Sequence, residues 1–287
     1  MFFKLLAINI DGTLLRSNGS LPKQTREAIN FVQNKEVVVT LVTSRNFPSA
    51  QKVARALQIP SLLVTHSGAF IADDIDEPYI DRRISPMRTF QIAQALDFYD
   101  CNVRVITERF TYANRKKLDV NLIAKAVFTK NDPIFYPVQF FDSISDVLRD
   151  EEISTPKIEV LFDNPLEKFE AINTLNKSFN DINIINVNNE KIEIVPAGVS
   201  KLWGLQQLGK KLSIPLSEMV VIGDGLDDKD MLENVGLGVA MWNSLPEVKK
   251  AADWVTRSND ENGVTYMVRE HFRKQQRIQF VRKMTRS

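Results

Sequence analysis

Four short segments carry residue types suited to work on an anionic group. Ile8-Asn9-Ile10-Asp11-Gly12-Thr13-Leu14-Leu15 is an apolar run ending in a turn with an acidic residue at its lip. In a parallel α/β sheet, ligands bind beyond the carboxyl ends of strands, so Asp11 is placed toward a site, although a lone Asp-Gly is also the mark of a plain turn. Val220-Val221-Ile222-Gly223-Asp224-Gly225-Leu226-Asp227-Asp228 crowds three carboxylates at the end of a second apolar run. One or two acids there complement a helix N-terminus; three repel one another unless a cation is present, and an all-oxygen set suits Mg²⁺. Thr43-Ser44-Arg45 offers hydroxyls and amides to a phosphate oxygen, and Thr43 reads equally as a helix N-cap. Lys201, in Gly198-Val199-Ser200-Lys201, stands at a predicted helix start, as a surface lysine or as a cation holding an anion.

The elements that would position these residues follow from periodicity. Phe2–Ile10 reads as a buried strand, the segment from Pro22 to Lys35 as a helix, Val37–Val42 as a strand, Phe47–Leu57 as a helix and Ser61–Val64 as a strand. That β-α-β-α-β order requires right-handed crossovers and a parallel sheet. The grammar returns at Met219–Ile222, Asp227–Asn234, Gly238–Met241, Pro246–Ala252 and Trp254–Thr256. Between the two blocks lie helical stretches (Pro86–Tyr99, Pro165–Phe179) and strand candidates (Val103–Ile106, Lys157–Phe162, Asn183–Val187); Asn114–Pro156 is the least readable stretch. The expected fold class is α/β, a Rossmann-like three-layer core with a parallel sheet plus an inserted α+β cap. The core is expected at 1–83 and 187–287, the cap at 84–186.

Together the four segments, in this chain order, resemble the haloacid dehalogenase superfamily and its Cof-type phosphatase subgroup. Glu193-Ile194-Val195-Pro196-Ala197-Gly198-Val199-Ser200-Lys201, the segment from Gly223 to Met231, Val239-Ala240-Met241 with Asn243, and Asn259-Asp260-Glu261-Asn262-Gly263-Val264 all look like that subgroup's signatures. The resemblance implies a Mg²⁺-dependent phosphatase acting on a small phosphorylated metabolite such as a sugar phosphate or nucleotide. In such enzymes the first carboxylate of the opening motif attacks phosphorus, and the acid two residues later protonates the leaving group and then activates water. Carried over, position 9 is the nucleophile and Asp11 the general acid/base. Thr43, Ser44 and Asn243 bind the phosphoryl group, Lys201 neutralises it, and the side chain at position 9, Asp11, Asp224, Asp227 and Asp228 surround the metal.

This chain departs from that pattern where chemistry would begin. Position 9 is Asn, and a neutral amide is a very poor nucleophile toward phosphorus and a weaker ligand for Mg²⁺. Asp227 stands where the family commonly has Asn, so one carboxylate is missing from the first motif and one is added to the last. Asn9 is compatible with a substitution made to trap substrate, with a natural protein that binds phosphometabolites without turning them over, and with residual activity. His66, in Thr65-His66-Ser67-Gly68-Ala69, reads as a loop residue, and Trp242 beside Asn243 as a lining or packing residue. Lys157, Arg104 and Arg115 are cap residues that either face ligand or lie on a solvated surface.

Composition bounds these readings. The 287 residues include 37 Lys and Arg against 36 Asp and Glu, a net charge of +1 that argues against a broad nucleic-acid footprint. At 44% hydrophobic and 25% charged, the chain is an ordinary globular protein, neither disordered nor collagenous. Arg273, Lys274, Arg277, Arg282, Lys283 and Arg286 make the terminal segment basic, leaving −5 on residues 1–270. That segment is a candidate contact for nucleic acid or an anionic membrane, with a solvated terminal helix as the plainer reading. Cys101, the sole cysteine, has no disulfide partner within the chain and cannot assemble a thiolate metal site. With an apolar start too short to span a bilayer and interrupted by Lys4, the chain is expected in a reducing cytoplasm.

Overall fold

In the computed structural model, which describes residues 2–60, 62–115 and 137–275, a five-stranded parallel sheet forms the centre of one layer system. Strand β1 (Leu5–Ile8) lies inside it, fully buried, paired on one side with the edge strand β2 (Val38–Leu41) and on the other with β12 (Met219–Gly223). A strand covered on both faces needs a continuous apolar run, and Leu5-Leu6-Ala7-Ile8 supplies it. β13 (Leu237–Ala240) and β14 (Trp254–Val255) extend the sheet beyond β12. Helices α1 (Lys23–Gln33) and α2 (Phe47–Ala56) return the chain between the first strands, α1 packing Ala28, Ile29 and Val32 inward. The expected strands and crossovers are therefore present, with Pro22 as the N-cap of α1 rather than its first helical residue.

Strand β3 (Leu63–Thr65) touches β2 through the parallel bridge Val42–Val64 but belongs to a small antiparallel sheet with β4 (Phe70–Ala72) and β5 (Ile80–Asp81). The strand expected at Ser61–Val64 in the parallel sheet is thus corrected to the start of this small sheet, whose β4 and β5 are too short to show a period in the sequence.

The second large sheet has six strands in the order β10-β11-β9-β6-β7-β8: β6 (Cys101–Ile106), β7 (Thr111–Asn114), β8 (Val138–Phe141), β9 (Lys157–Phe162), β10 (Ile182–Asn186) and β11 (Lys191–Pro196). It is antiparallel except for β7 with β8. Its own core joins Ile158, Val160 and Phe162 of β9 and Ile192 and Ile194 of β11 to the helices α3 (Pro86–Leu96), α4 (Ile144–Asp150) and α5 (Pro165–Ser178). Strand β11 corrects the expected division, since residues 191–196 were assigned to the core segment yet are hydrogen-bonded between two cap strands. Residues 116–136 of the unreadable stretch lie outside the described residues, as does most of the basic terminal segment.

Alternation along β9 and β11 sends the remaining side chains to the other face of this sheet. There Lys157, Glu159, Lys191 and Glu193 form a buried ionic cluster, with Lys157 Nζ 2.6 Å from Glu159 and 3.3 Å from Glu193, and Lys191 Nζ 2.8 Å from Glu193. Burial opposes the Glu159 charge, but Lys157 and Lys191 hold its carboxyl well below the usual range. Lys157 also donates to the Ser44 carbonyl at 2.5 Å, and Ser67 of the β3–β4 turn donates to Glu193. Cap and core thus meet through charge. Removing one partner of a buried ionic group leaves the others unpaired, at about 3–5 kcal/mol. Lys157→Met is therefore expected to destabilise the protein by about 3 kcal/mol, and Lys191→Met, at a less deeply buried position, by distinctly less, as read from urea unfolding midpoints.

Candidate active site

Three loops converge at the carboxyl ends of β1, β2 and β12. The first begins at Asn9 and turns at Gly12, whose φ of 71° and contact with Asp224 both exclude a side chain: a Cβ there would lie 2.0 Å from Asp224 Oδ2. That approach lets Thr13 donate to Asp224 Oδ1 at 2.6 Å. Asn9 Nδ2 donates to the Asp11 carbonyl at 3.0 Å and to Asp224 Oδ1 at 3.1 Å. On its other side, Asn9 Oδ1 lies 3.5 Å from Lys201 Nζ.

Lys201 opens helix α6 (Lys201–Leu212), which Ser200 caps by accepting from the Trp203 N–H at 3.1 Å. Only 2% exposed, its ammonium lies 2.7 Å from both Asp227 Oδ2 and Asp228 Oδ1. Burial disfavours the charge, yet the two carboxylates outweigh it and hold the lysine pKa above its ordinary value. Burial likewise opposes the Asp227 charge, and Lys201 overrides it, so that carboxyl is held below the usual range. Asp228 fixes the turn around itself, its Oδ2 accepting from the N–H groups of Asp224 (2.9 Å) and Gly225 (3.0 Å). The expected helix from Asp227 is consequently split into a tight 3₁₀ turn, Leu226–Asp228, and α7 (Lys229–Asn234).

The third loop carries Thr43, which is buried and accepts from the Arg45 N–H at 3.1 Å. Asn46, not Thr43, caps α2, through an Asn46 Oδ1 to Ser49 N–H bond of 2.9 Å. Ser44 contributes its carbonyl to Lys157. Arg45 grips the Asp11 carboxylate at both oxygens, 2.6 and 2.7 Å. Neither Arg45 nor Thr13 was chosen from the sequence. Arg45 sits two residues after Thr43, and Thr13 was read only as part of a strand-breaking turn.

The expected residues thus assemble around Asn9 in unequal ways. Asp224 and the Asp11 carbonyl converge on one side, while Asp227 and Asp228 face Lys201. Asn243 is exposed, and both ends of its amide are engaged, Nδ2 with the Gly12 carbonyl (2.8 Å) and Oδ1 with the Asn259 N–H (3.1 Å). It braces the first loop. Trp242 is exposed with Lys249 over its ring at 4.6 Å. His66 is buried next to the Thr107 carbonyl (3.4 Å) and Thr65; burial first, then the Lys157 charge, push its pKa down to about 3, so it stays neutral. Of the cap candidates, Lys157 is buried in the ionic cluster, Arg104 donates to Asn102 at 3.2 Å, and Arg115 pairs loosely with Asp142 at 3.9 Å.

For a hard cation, Asp224 and the Asp11 carbonyl are suitable oxygen donors. The third expected ligand does not fit: an amide nitrogen presents hydrogens and no lone pair, and it is this nitrogen that faces the two oxygens. Lys201, which can only donate, keeps the amide oxygen on its own side. Turning the amide over would break two hydrogen bonds, the one to the carboxylate being worth about 1.5–3 kcal/mol. Among the described residues, no group of three or more His, Cys, Asp or Glu is arranged to hold a metal ion.

Residues 6–268 match the family model described as haloacid dehalogenase-like hydrolase. The chain is 50% identical over 280 residues to the stress response protein YhaX of Bacillus subtilis (strain 168), covering 98% of this chain and 97% of that one. It is 30% identical to phosphatase YwpJ of the same strain, covering 93% and 99% respectively. A solved haloacid dehalogenase-like hydrolase from B. subtilis, 27% identical, superimposes with a TM-score of 0.80 over 94% of this chain and 99% of that one.

Burial, reinforced by the Asp228 charge, pushes the Asp224 carboxyl up to about 7 from 3.8, against the Thr13 and Asn9 hydrogen bonds and the Lys201 charge. Between those values the folded protein holds a proton that the unfolded chain has lost, so this group's contribution to stability falls as pH rises through the window. Asp224→Asn should remove that fall. Its melting temperature relative to the native protein is expected to rise from about pH 4 to about pH 8 in chelated buffer, and a constant difference would place Asp224 at an ordinary carboxylate value.

Proposed function

The chain belongs to the haloacid dehalogenase-like hydrolase family, in its Cof-type branch, and from that premise we propose that its site takes the phosphoryl group of a small phosphorylated metabolite, such as a sugar phosphate or nucleotide, with hydrolysis impaired by Asn9. The observation that carries this reading is the placement of Asn9 at the carboxyl end of the buried strand β1, with Lys201 and Asp224 against it, Asp11 two residues on and Thr43 following the neighbouring strand β2. The kinship with phosphatase YwpJ supports the reaction class. The Lys157–Ser44 contact supports a small substrate, because it seats a cap strand directly on the phosphate-binding loop.

In this reading the protein's own groups have distinct tasks. Thr43 and Ser44, at the end of β2, present hydroxyl and amide groups to the phosphoryl oxygens. Lys201 supplies positive charge beside position 9, and Asp11, held in place by Arg45, would pass a proton to the leaving oxygen. A carboxylate at position 9 would attack phosphorus and form the phosphorus–oxygen bond as the ester oxygen departs. The Asn9 amide cannot do so with comparable ease, since its nitrogen lone pair is delocalised and its oxygen carries no full charge. In the native chain the Asn9 amide as placed does not fit a cation, so these roles are assigned to the protein's own groups alone.

A second reading, a phosphometabolite-binding protein without turnover, is favoured by the same amide. Phosphate release from a panel of phosphorylated metabolites, with the native protein and Asn9→Asp side by side and with and without Mg²⁺, separates the two. The enzyme reading expects the variant to gain at least about a thousandfold in kcat/KM on one or a few panel members. Silence from both proteins, with ligand-induced thermal stabilisation intact in the native one, selects the binding reading.

A further inference from the structure

We propose that in this chain the Asn9 amide takes the place of a divalent cation between Asp224 and the Asp11 carbonyl, and that Asp227 takes over from position 9 as counter-charge of Lys201. The inference rests on who donates to whom, and it does not depend on which phosphomonoester the site accepts. Lys201 carries three donors and no acceptor, so the Asn9 atom facing it at 3.5 Å must be oxygen. The opposite atom, at 3.0 Å from one carbonyl and 3.1 Å from one carboxylate, must then be the NH₂ group. These two oxygens are the ones the chain offers to a cation. Both are satisfied by the amide, and Thr13 adds a second hydrogen bond to the same carboxylate oxygen.

The same network accounts for the added carboxylate. Asp227 does not turn toward Asp224; it lies against Lys201 at 2.7 Å, as Asp228 does. A carboxylate at position 9 would also face Lys201, because the side of residue 9 that carries Oδ1 already does. Moving one acid from position 9 to position 227 therefore keeps two carboxylates on the buried ammonium. It also frees position 9 to present a donor where a ligand oxygen would otherwise stand. Asn9 and Asp227 form one coupled exchange.

Calorimetric titration with Mg²⁺ alone tests the first half on the full chain. The native protein is expected to show no saturable binding below about 1 mM, and the double variant Asn9→Asp/Asp227→Asn, which keeps the number of carboxylates, to bind at least about tenfold more tightly. Saturable native binding that Asp224→Asn abolishes would overturn this half, whether or not the variants fold. Melting temperatures of the native protein, both single variants and the double variant in chelated buffer test the second half. Asp227→Asn is expected to lower the melting temperature in the native background and to be neutral or favourable beside Asn9→Asp. Additive effects of the two substitutions would overturn the coupling.

Discussion

A buried ammonium governs this site. Lys201 stands at the first position of a helix, where the helix dipole disfavours a cation, and almost none of it reaches water. Removing an ion from water costs several kcal/mol unless counter-charges and hydrogen bonds replace the solvent. Asp227 and Asp228 meet that requirement, and their positions in turn dictate the local backbone. Asp228 must bend back to reach Lys201 while still accepting from two N–H groups, so the chain after β12 tightens into a 3₁₀ turn before α7 can begin. Asp224 is thereby directed the other way, toward Asn9 and Thr13. One charge sorts three acids into two groups.

The cap repeats the solution on a second lysine. Lys157 is as buried as Lys201, is matched by Glu159 and Glu193, and places its remaining donor on the Ser44 carbonyl. The β3–β4 turn completes the joint. Its residues His66, Ser67 and Gly68 all have positive φ, and Gly68 packs where a Cβ would come within 2.1 Å of the Ser200 carbonyl. Ser67 holds a left-handed backbone that Gly, Asn and Asp enter most readily, and its hydroxyl binds Glu193. The backbone that caps the Lys201 helix and the backbone that receives the cap are therefore packed against each other.

Much of this was legible in the sequence, for a definite reason. Fully buried parallel strands must be apolar runs, and ligand-facing residues must follow them, so Asp11, Thr43 and Asp224 stood out by position, while Asn9 stood out through the family resemblance. What stayed hidden depended on partners far apart in the chain. β11 begins Lys-Ile-Glu-Ile, an alternation that fits a half-charged strand, but only pairing with β9 and β10 shows which sheet owns it. The three acids near β12 could be counted as metal ligands in the sequence because nothing there reveals that two of them answer to Lys201. Arg45 lay inside a segment already singled out, yet its grip on Asp11 spans 34 residues and has no local signature. The odd Asp227 and the odd Asn9 were both visible; that they meet through a third residue was not.

An amide is an incomplete substitute for a cation, and the shortfall falls on Asp224. Asn9 gives that carboxylate a hydrogen bond but no positive charge, and Thr13 does the same. Lys201 is already shared between Asp227 and Asp228. Desolvated and close to the Asp228 charge, Asp224 relieves the imbalance by binding a proton more tightly, which is why its pKa reaches about 7 while Asp227, directly against Lys201, moves down. The two shifts, opposite in sign for acids three residues apart, reflect that Asp227 faces Lys201 and Asp224 does not. Asp228 shows the limit of what one ammonium can do: it too touches Lys201, yet complete burial and the neighbouring Asp227 charge push its pKa up.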